Sequence, residues 1–363
     1  MSHPKLSLRG VRVRRGRSEI VRVPHLDVLE GEVLVIIGPN GAGKSILLET
    51  IALLQRPTDG RVLFEGEPVA GRDLALRRRM AVVFQNPLLL RRSVADNVAV
   101  GLRLRGVPRS VRRERATFWM QRFGIAHLAR RSAPTLSGGE AQRTGLARAF
   151  ALQPEVLLLD EPFSALDEPT REELLDDLSA ALGETGVTTV FVTHDRDEAM
   201  RLGGRMVVLM NGEIRQVGAT AEVFASPVDA KVASFVGVET IAPGRVRSLD
   251  CGLAVVEVAG RRVEVASAVE AGGEVLVCLR PEDVVLSPAD DPPRPTSARN
   301  RLPAVVRRIV NTGSQVRVEL DAGFPLVALI TKQSLEELSL GPGSRVAASF
   351  KATAAHLIPR HGR

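Results

Sequence analysis

A glycine-rich loop places one lysine and one serine where they could grip a phosphate group. The loop follows the apolar run 33–37 and precedes a helically spaced apolar stretch that begins at Ile46. Its residues are Gly38, Pro39, Asn40, Gly41, Ala42, Gly43, Lys44 and Ser45. In this G-x-x-x-x-G-K-[ST] pattern the glycines let successive backbone N–H groups turn toward an anion. The pattern predicts that Lys44 bridges the β- and γ-phosphates of a nucleotide and that Ser45 binds Mg²⁺.

An acidic pair ends a second apolar run. Residues 156–159 read Val-Leu-Leu-Leu, and Asp160 and Glu161 follow them directly. The carboxyl ends of parallel strands border the crevice in which such sheets bind ligands. We therefore expect Asp160 to hold Mg²⁺ and Glu161 to polarise the attacking water as a general base.

The elements that must position these groups follow an α/β pattern over residues 1–237. The short apolar runs 33–37, 156–159 and 190–193 are unpatterned, as expected for strands that are buried on both faces of a mostly parallel sheet. Helical patterns lie between them, and one helix is predicted to open at Asp167 and Pro169. The alternation predicts one α/β domain.

Residues 88–150 predict a helical subdomain inserted into that domain. The first part of this segment is rich in arginine and reads as helical. Trp119 and Phe123 stand four residues apart, so we expect their rings to pack on one helix face.

The pattern changes to strict alternation after about residue 240. Val316, Val318 and Leu320 alternate with polar residues, which is typical of half-buried strands. Residues 290–296 are polar and rich in proline, which is typical of a linker. The sequence thus predicts a β-rich connecting module at 238–289 and a terminal β domain at 297–363.

Composition and charge narrow the class of protein. The chain has 363 residues, a net charge of +7 and 44% hydrophobic residues, and Cys251 and Cys278 form no C-x-x-C pair. We therefore predict neither a zinc site nor a disulfide framework. The basic N-terminus is followed by no apolar stretch, and no apolar run approaches the length of a membrane span. We expect no signal peptide, and any association with a membrane should go through a partner.

Further motifs resemble the ATPase subunit of ABC transporters over residues 1–237. The segment 136–140, Leu-Ser-Gly-Gly-Glu, resembles the signature motif of that family. Gln85 in Val-Phe-Gln-Asn-Pro resembles the Q-loop glutamine, and Asp167 in Ser-Ala-Leu-Asp resembles the D-loop. His194 in Val-Thr-His-Asp resembles the switch histidine.

This resemblance implies a RecA-like core with an inserted helical subdomain and an antiparallel β edge. It also implies that ATP and Mg²⁺ are bound and that two copies pair head to tail. Ser137, Gly138 and Gly139 of one copy, with Asp167, would complete the nucleotide site of the other copy. Gln85 would sense Mg²⁺ and the γ-phosphate, and His194 would contact the γ-phosphate in the transition state.

Two positions depart from the family pattern. The family usually stacks adenine on an aromatic residue before the loop, whereas residues 1–63 contain no Phe, Tyr or Trp. Arg14 or Arg15 occupies about that place, and a guanidinium plane can stack on a base. Ile46 stands where threonine commonly follows the serine, but Ser45 itself is kept.

The C-terminal region resembles importer subunits that carry a β-rich tail. The segment 235–239, Phe-Val-Gly-Val-Glu, resembles the molybdate and tungstate branch. Residues 297–363 resemble the Mop or TOBE module of that branch, an OB-like barrel in which oxyanions lie between paired modules. The resemblance implies an ATP-hydrolysing subunit at the cytoplasmic face of the membrane. Its expected partners are an integral-membrane permease and, indirectly, an extracytoplasmic oxyanion-binding protein.

Several polar residues of the terminal module are candidates for oxyanion binding. Ser297, Arg299 and Lys351 could contribute a hydroxyl, a backbone N–H group and positive charge, and Thr331 and Ser334 are weaker candidates. The alternative is that these are turn and strand residues that shape the barrel.

Other functions remain open at this point. An importer for sulfate, iron(III), a sugar or a polyamine would share most of these motifs. A non-transport ABC ATPase usually carries two cassettes or a coiled-coil insertion, and neither is evident here. A nucleic-acid partner is not expected, because residues 297–363 contain only Phe324 and Phe350 as aromatic residues.

Overall fold

The computed structural model describes residues 3–69, 73–292 and 296–360. The chain divides into two compact units, Met1–Ala221 and Glu222–Arg363. This division comes before the boundary at 237 that the sequence predicted. Residues 222–237 carry short helical patterns like those of the first unit, and such patterns do not tell to which unit a helix belongs.

The first unit contains one ten-stranded sheet with helices around it. Its strands are β1 Pro4–Arg15, β2 Ser18–Leu29, β3 Val33–Ile37, β4 Asp59–Phe64, β5 Glu67–Pro68, β6 Met80–Val83, β7 Val156–Asp160, β8 Thr188–Thr193, β9 Arg205–Met210 and β10 Glu213–Ala219. Its helices are α1 Lys44–Ile51, α2 Leu74–Arg78, α3 Val94–Leu104, α4 Arg109–Arg122, α5 Gly138–Ala151, α6 Glu168–Thr185 and α7 Arg196–Leu202, and α8 Thr220–Ala225 follows.

Parallel pairing brings the predicted site segments to one edge of this sheet. The strand order is β5-β4-β1-β2-β10-β9-β3-β8-β7-β6, and the strands from β9 to β6 run parallel. Every residue of β8 is buried, as the unpatterned apolar runs predicted. Strands β1, β2, β4 and β5 pair antiparallel and form the expected β edge.

The inserted helices have an aromatic core of their own. Trp119 of α4 lies 6.0 Å from Phe123 and 4.7 Å from Phe150 of α5, measured between ring centroids. The predicted packing of Trp119 and Phe123 is thereby confirmed. Within the described ranges, none of the helices has the length and apolar character that a membrane crossing requires.

The second unit contains two five-stranded antiparallel sheets. Its helices are α9 Ala230–Phe235 and α10 Lys332–Glu337. Its strands are β11 Thr240–Asp250, β12 Leu253–Val258, β13 Arg261–Ala266, β14 Glu274–Leu279, β15 Val285–Pro288, β16 Asn300–Thr312, β17 Gln315–Asp321, β18 Pro325–Thr331, β19 Arg345–Phe350 and β20 His356–Pro359. The predicted alternation of Val316, Val318 and Leu320 is confirmed in β17, where all three residues are buried.

The two sheets exchange strands across the predicted linker. β20 pairs with β14, and β15 pairs with β19, so each sheet takes a strand from the other side of residues 290–296. The structure thus differs from two successive modules, and one apolar core runs through both sheets. Alternation shows which residues face a core, but it does not show which strand is the neighbour. Residues 293–295 of the predicted linker lie outside the described residues.

An ion-pair network ties the antiparallel edge to the amino ends of the parallel strands. Lys5 Nζ of β1 lies 2.6 Å from Glu65 Oε1 and 2.7 Å from Glu155 Oε2. Arg79, which precedes β6, also bonds both carboxylates. Hydrogen bonds from Arg79 and then Lys5 lower the pKa of Glu155 to about 2. This network joins residues that are distant in sequence but adjacent in the sheet.

Acid should remove part of this stabilisation. The pKa of Glu155 falls from 4.5 to about 2 on folding, so the carboxylate stabilises the fold fully above pH 4.5 and loses that effect toward pH 2. Glu155→Gln should lower the thermal unfolding midpoint at neutral pH, and the difference from wild type should shrink across that window. Glu213→Gln is the control, because Glu213 is exposed and lies 3.4 Å from Arg22. A difference from wild type that stays constant with pH would contradict this account.

Candidate active site

The loop between β3 and α1 is shaped by close backbone approaches that only glycine permits. A Cβ atom on Gly38 would lie 2.1 Å from the carbonyl oxygen of Leu209 in β9. Gly43 has φ 95°, and a Cβ atom there would lie 2.8 Å from Val21 Cγ2 of β2. Both glycines are therefore required where the chain turns from strand to helix. The turn leaves the first N–H groups of α1 available for an anion.

Lys44 is buried and aimed back across the loop. Its Nζ donates to the Gly38 carbonyl at 2.9 Å and to the Pro39 carbonyl at 3.3 Å. The same Nζ lies 3.2 Å from Glu161 Oε1. The ammonium group thus joins the loop to the acidic pair.

The acidic pair lies at the end of β7, as predicted. Asp160 Oδ1 accepts a hydrogen bond from Ser45 Oγ at 3.1 Å. Burial raises the pKa of Asp160, and the nearby carboxylates Glu161 and Glu49 raise it further, whereas the Ser45 hydrogen bond opposes the shift. A cation beside Asp160 and Ser45 would offset this cost, because it favours the charged carboxylate.

Glu161 has a strained backbone and two partners. Its φ of 43° lies in the left-handed region, and its N–H donates to the Val192 carbonyl of β8 at 2.9 Å. Its Oε1 atom faces Lys44, and its Oε2 atom lies 3.0 Å from His194 Nδ1. Strained backbone of this kind is concentrated at functional sites.

The strand order sets the order of these groups along the edge. The glycine-rich loop follows β3, His194 follows β8, the acidic pair closes β7 and Gln85 follows β6. The loop, the acidic pair and Gln85 border a cavity of about 450 Å³, whereas His194 contacts the lining residue Glu161. Its lining residues are Ile20, Asn40, Gly41, Gly43, Lys44, Ser45, Ile46, Gln85, Asp160 and Glu161.

Ile20 is a lining residue that the sequence analysis missed. Its carbonyl oxygen lies 3.0 Å from the position of a Cβ atom on Gly43, so β2 forms one wall of the cavity. No motif marks it, because its place depends on how β2 packs on the loop. Arg14 and Arg15 are exposed and lie outside the described lining of the cavity, and Arg14 Nη2 instead lies 3.8 Å from Asp59 Oδ2.

Comparison with known proteins agrees with this arrangement. A family model described as "ABC transporter" matches residues 21–164. The chain is 39% identical over 335 residues to the molybdate/tungstate import ATP-binding protein of Pyrococcus horikoshii, an alignment that covers 92% of this chain and 94% of that protein. The chain belongs to the ABC transporter family of ATP-binding proteins. The expectation of an ABC-type ATPase is thereby confirmed.

Other matches include a protein named for a different substrate and a solved structure of a nucleotide-bound dimer. The chain is 35% identical over 334 residues to the sulfate/thiosulfate import ATP-binding protein of Thermosynechococcus vestitus, covering 91% of this chain and 92% of that protein. A dimeric ATP-binding cassette bound to ADP and Pi in a post-hydrolysis state matches with a TM-score of 0.54 at 31% identity. That match covers 59% of this chain and 98% of the cassette.

The signature segment of this ABC protein is not part of the described cavity lining. Ser137 caps α5 through a hydrogen bond with the Glu140 N–H, and the Glu140 carboxylate accepts from the Ser137 N–H at 2.7 Å. Ser137 and Gly138 are exposed, and Asp167 is exposed at the start of α6. None of these residues, nor Gly139, belongs to the described lining of the cavity.

A family model described as "TOBE domain" matches residues 296–357, which confirms the predicted C-terminal module. In it, Asn300 pairs with Phe350 across β16 and β19, so Arg299 and Lys351 flank the same end of the two strands. Arg299 bonds Glu264 and thereby lowers the pKa of that carboxylate. Ser297 and Lys351 are exposed.

The weaker oxyanion candidates take part in a helix cap. Thr331 Oγ1 accepts from the Ser334 N–H at 3.0 Å at the start of α10, and the two hydroxyls lie 2.9 Å apart. These contacts account for both residues structurally.

Proposed function

We propose that this chain hydrolyses ATP to drive the import of molybdate or tungstate. One observation supports the proposal most directly: Lys44, Ser45, the acidic pair and Gln85 all border one cavity. The substrate follows from the relative that aligns with 92% of the chain.

The loop would bind the phosphates of ATP. Lys44 donates to two loop carbonyls and to Glu161, and the negative γ-phosphate would compete for the same protons. Backbone N–H groups of residues 38–45, which lead into the start of α1, would also donate to the phosphates. Ile20 offers the adenine an apolar surface, which takes the place of the missing aromatic residue.

Magnesium fits the oxygen ligands beside the loop. Ser45 Oγ and Asp160 Oδ1 are hard oxygen donors 3.1 Å apart, and Gln85 lines the same cavity. Mg²⁺ in such sites is held by few protein oxygens together with phosphate oxygens. When bound, the ion neutralises developing phosphate charge.

Glu161 and His194 would act on the attacking water. Release of Lys44 to the phosphates frees Glu161 Oε1 to accept the proton of a water molecule. The contact of Oε2 with His194 Nδ1 holds the carboxylate in place. The strained turn at Glu161, whose N–H bonds the Val192 carbonyl, would hold Glu161 against β8. His194 would also contact the γ-phosphate.

A second copy would complete each nucleotide site. Ser137, Gly138 and Gly139 lie at the start of the 14-residue helix α5, where N–H groups and a hydroxyl suit a phosphate. They are absent from the described cavity lining of their own chain, and a dimeric cassette is among the structural matches. Asp167 would face the same nucleotide, and hydrolysis would release the pair.

The remaining partners follow from the importer function. A permease in the membrane would contact the segment after Gln85, in which Leu88 and Leu90 are 71% and 43% exposed. The subunit would therefore work at the cytoplasmic face, and an external protein would deliver the anion. Ser297, Arg299 and Lys351 would bind oxyanion between paired TOBE modules.

Uptake measurements test the substrate. Cells that lack the gene should lose nearly all high-affinity molybdate and tungstate uptake, and the wild-type gene should restore it while a Lys44→Ala gene should not. Sulfate uptake is the control, because a relative of similar coverage is named for sulfate and thiosulfate. Loss of sulfate uptake with intact molybdate uptake would overturn the proposed substrate.

A further inference from the structure

Helix α6 is fastened to the signature helix α5. A Cβ atom on Gly139 would lie 2.7 Å from Thr170 Cγ2, so the start of α5 rests directly on the start of α6. Further along, Arg143 of α5 bonds Asp177 and lies 3.3 Å from Glu173. Arg143 is 15% and Asp177 31% exposed, so that ion pair is partly sheltered from solvent, whereas Glu173 is 74% exposed. The two helices are therefore held together from their amino ends to the middle of α6.

The other side of α6 is fastened to the loop that carries His194. Arg171 Nη1 donates to Asp195 Oδ2 at 2.8 Å, and Arg171 is 24% and Asp195 21% exposed. Asp195 directly follows His194. Its other oxygen, Oδ1, caps α7 by accepting from the Asp197 N–H at 2.8 Å. The Asp195 carboxylate thus accepts hydrogen bonds from residues of both α6 and α7.

The residue before His194 is fixed as well. Thr193 Oγ1 accepts from the Asp195 N–H at 2.9 Å and donates to Glu198 Oε2 at 2.5 Å. Glu198 is 4% exposed, and burial raises its pKa to about 7. His194 therefore lies between Thr193, which bonds Glu198 of α7, and Asp195, which bonds Arg171 of α6. A shift of α6 would move the histidine through Arg171 and Asp195.

We infer that Arg171 is a positioning residue that links the signature segment and D-loop of one chain to the switch histidine of the same chain. The inference rests on the proposed head-to-tail dimer. There, residues 137–139 touch the nucleotide held by the other copy, whereas His194 touches the nucleotide held by its own copy. Helix α6 then joins the two nucleotide sites, and Arg171 is its contact with the loop that carries His194.

Arg171→Gln tests this role in the full-length protein. We expect unchanged ATP affinity, because Lys44 and its loop are untouched. We expect kcat to fall roughly ten- to 100-fold, the scale of a misplaced catalytic group. The Hill coefficient for ATP hydrolysis should fall to about 1, because uncoupled sites act independently. Asp195→Asn should act similarly while keeping the cap of α7, and the double variant should be no worse than either single one.

Arg201→Gln is the matched control. Arg201 also joins α7 to α6, through Asp176 at 3.5 Å and Glu172 at 4.0 Å, but these pairs are exposed and lie beyond the His194 loop. Its kcat and Hill coefficient should match those of wild type. Equal effects from Arg171→Gln and Arg201→Gln would reduce Arg171 to a structural role and overturn the inference.

The dimer is tested separately in a Glu161→Gln background. If Glu161→Gln forms no dimer with ATP, the proposed function fails and the inference fails with it. If the dimer forms but Arg171→Gln retains the wild-type kcat and Hill coefficient, only the inference fails. A Hill coefficient of 1 in the wild type would also overturn the coupling. The expected result is a dimer in Glu161→Gln with and without Arg171→Gln, together with slow, uncoupled hydrolysis in Arg171→Gln alone.

Discussion

Glu161→Gln should slow ATP hydrolysis by roughly 10²- to 10⁴-fold, the range expected when a general base is lost. The amide cannot accept the proton of the attacking water, but it has nearly the same shape as the carboxylate. ATP should therefore still bind, and the unhydrolysed nucleotide should hold two copies together. Steady-state phosphate release and size-exclusion chromatography with ATP and Mg²⁺ measure the two effects.

Glu184→Gln serves as the control for this substitution. Glu184 lies in the last turn of α6, is 53% exposed beside Arg122 and is not among the described lining residues of the cavity. It should change neither the rate nor the size of the particle. A Glu161→Gln protein that hydrolyses ATP at the wild-type rate would remove the general-base role. One that remains monomeric with ATP would argue against the paired sites.

Lys44→Ala should weaken nucleotide binding itself. Truncating one member of a buried charged pair costs roughly 2–5 kcal/mol, which is about 30-fold or more in the dissociation constant. Lys44 is 5% exposed and supplies the ammonium group that faces Glu161 across the cavity. Titration with a fluorescent ATP analogue measures the change, and hydrolysis should fall with it.

The matched control is Lys231→Ala. Lys231 is an exposed lysine in α9, and it lies in the second unit. Its removal should leave the dissociation constant unchanged. If Lys44→Ala binds ATP as tightly as wild type does, the loop is not the phosphate site, and the assignment of the cavity fails with it.

The sequence predicted the phosphate site well because its requirements are local. Gly38 and Gly43 are needed because a Cβ atom at either position would come within 3 Å of a neighbouring atom, and Lys44 and Ser45 directly follow Gly43. Parallel order along the sheet then brought the segments after β3, β6, β7 and β8 to one edge. Each of those strands was visible as an apolar run or as part of a motif.

Contacts between distant segments could not be predicted in this way. The approach of Ile20 to Gly43 depends on how an edge strand packs, and the Arg171–Asp195 pair depends on how a helix lies against a loop. Neither contact produces a periodic pattern in the sequence. The aromatic residue expected for adenine is missing, and the arginines suggested for its place lie outside the described cavity lining. Motifs therefore located the reacting groups but not the walls around them.

The strand exchange in the second unit has a consequence for biosynthesis. The sheet that begins with β11 at Thr240 is completed only by β20, which ends at Pro359. β20 is therefore synthesised after the other strands that the structure describes, and this sheet reaches its native pairing only once residues 356–359 have left the ribosome. The nucleotide-binding unit is synthesised well before that moment, so it can fold first. A nascent chain stalled shortly before His356 should accordingly present an ordered N-terminal half and an incomplete tail.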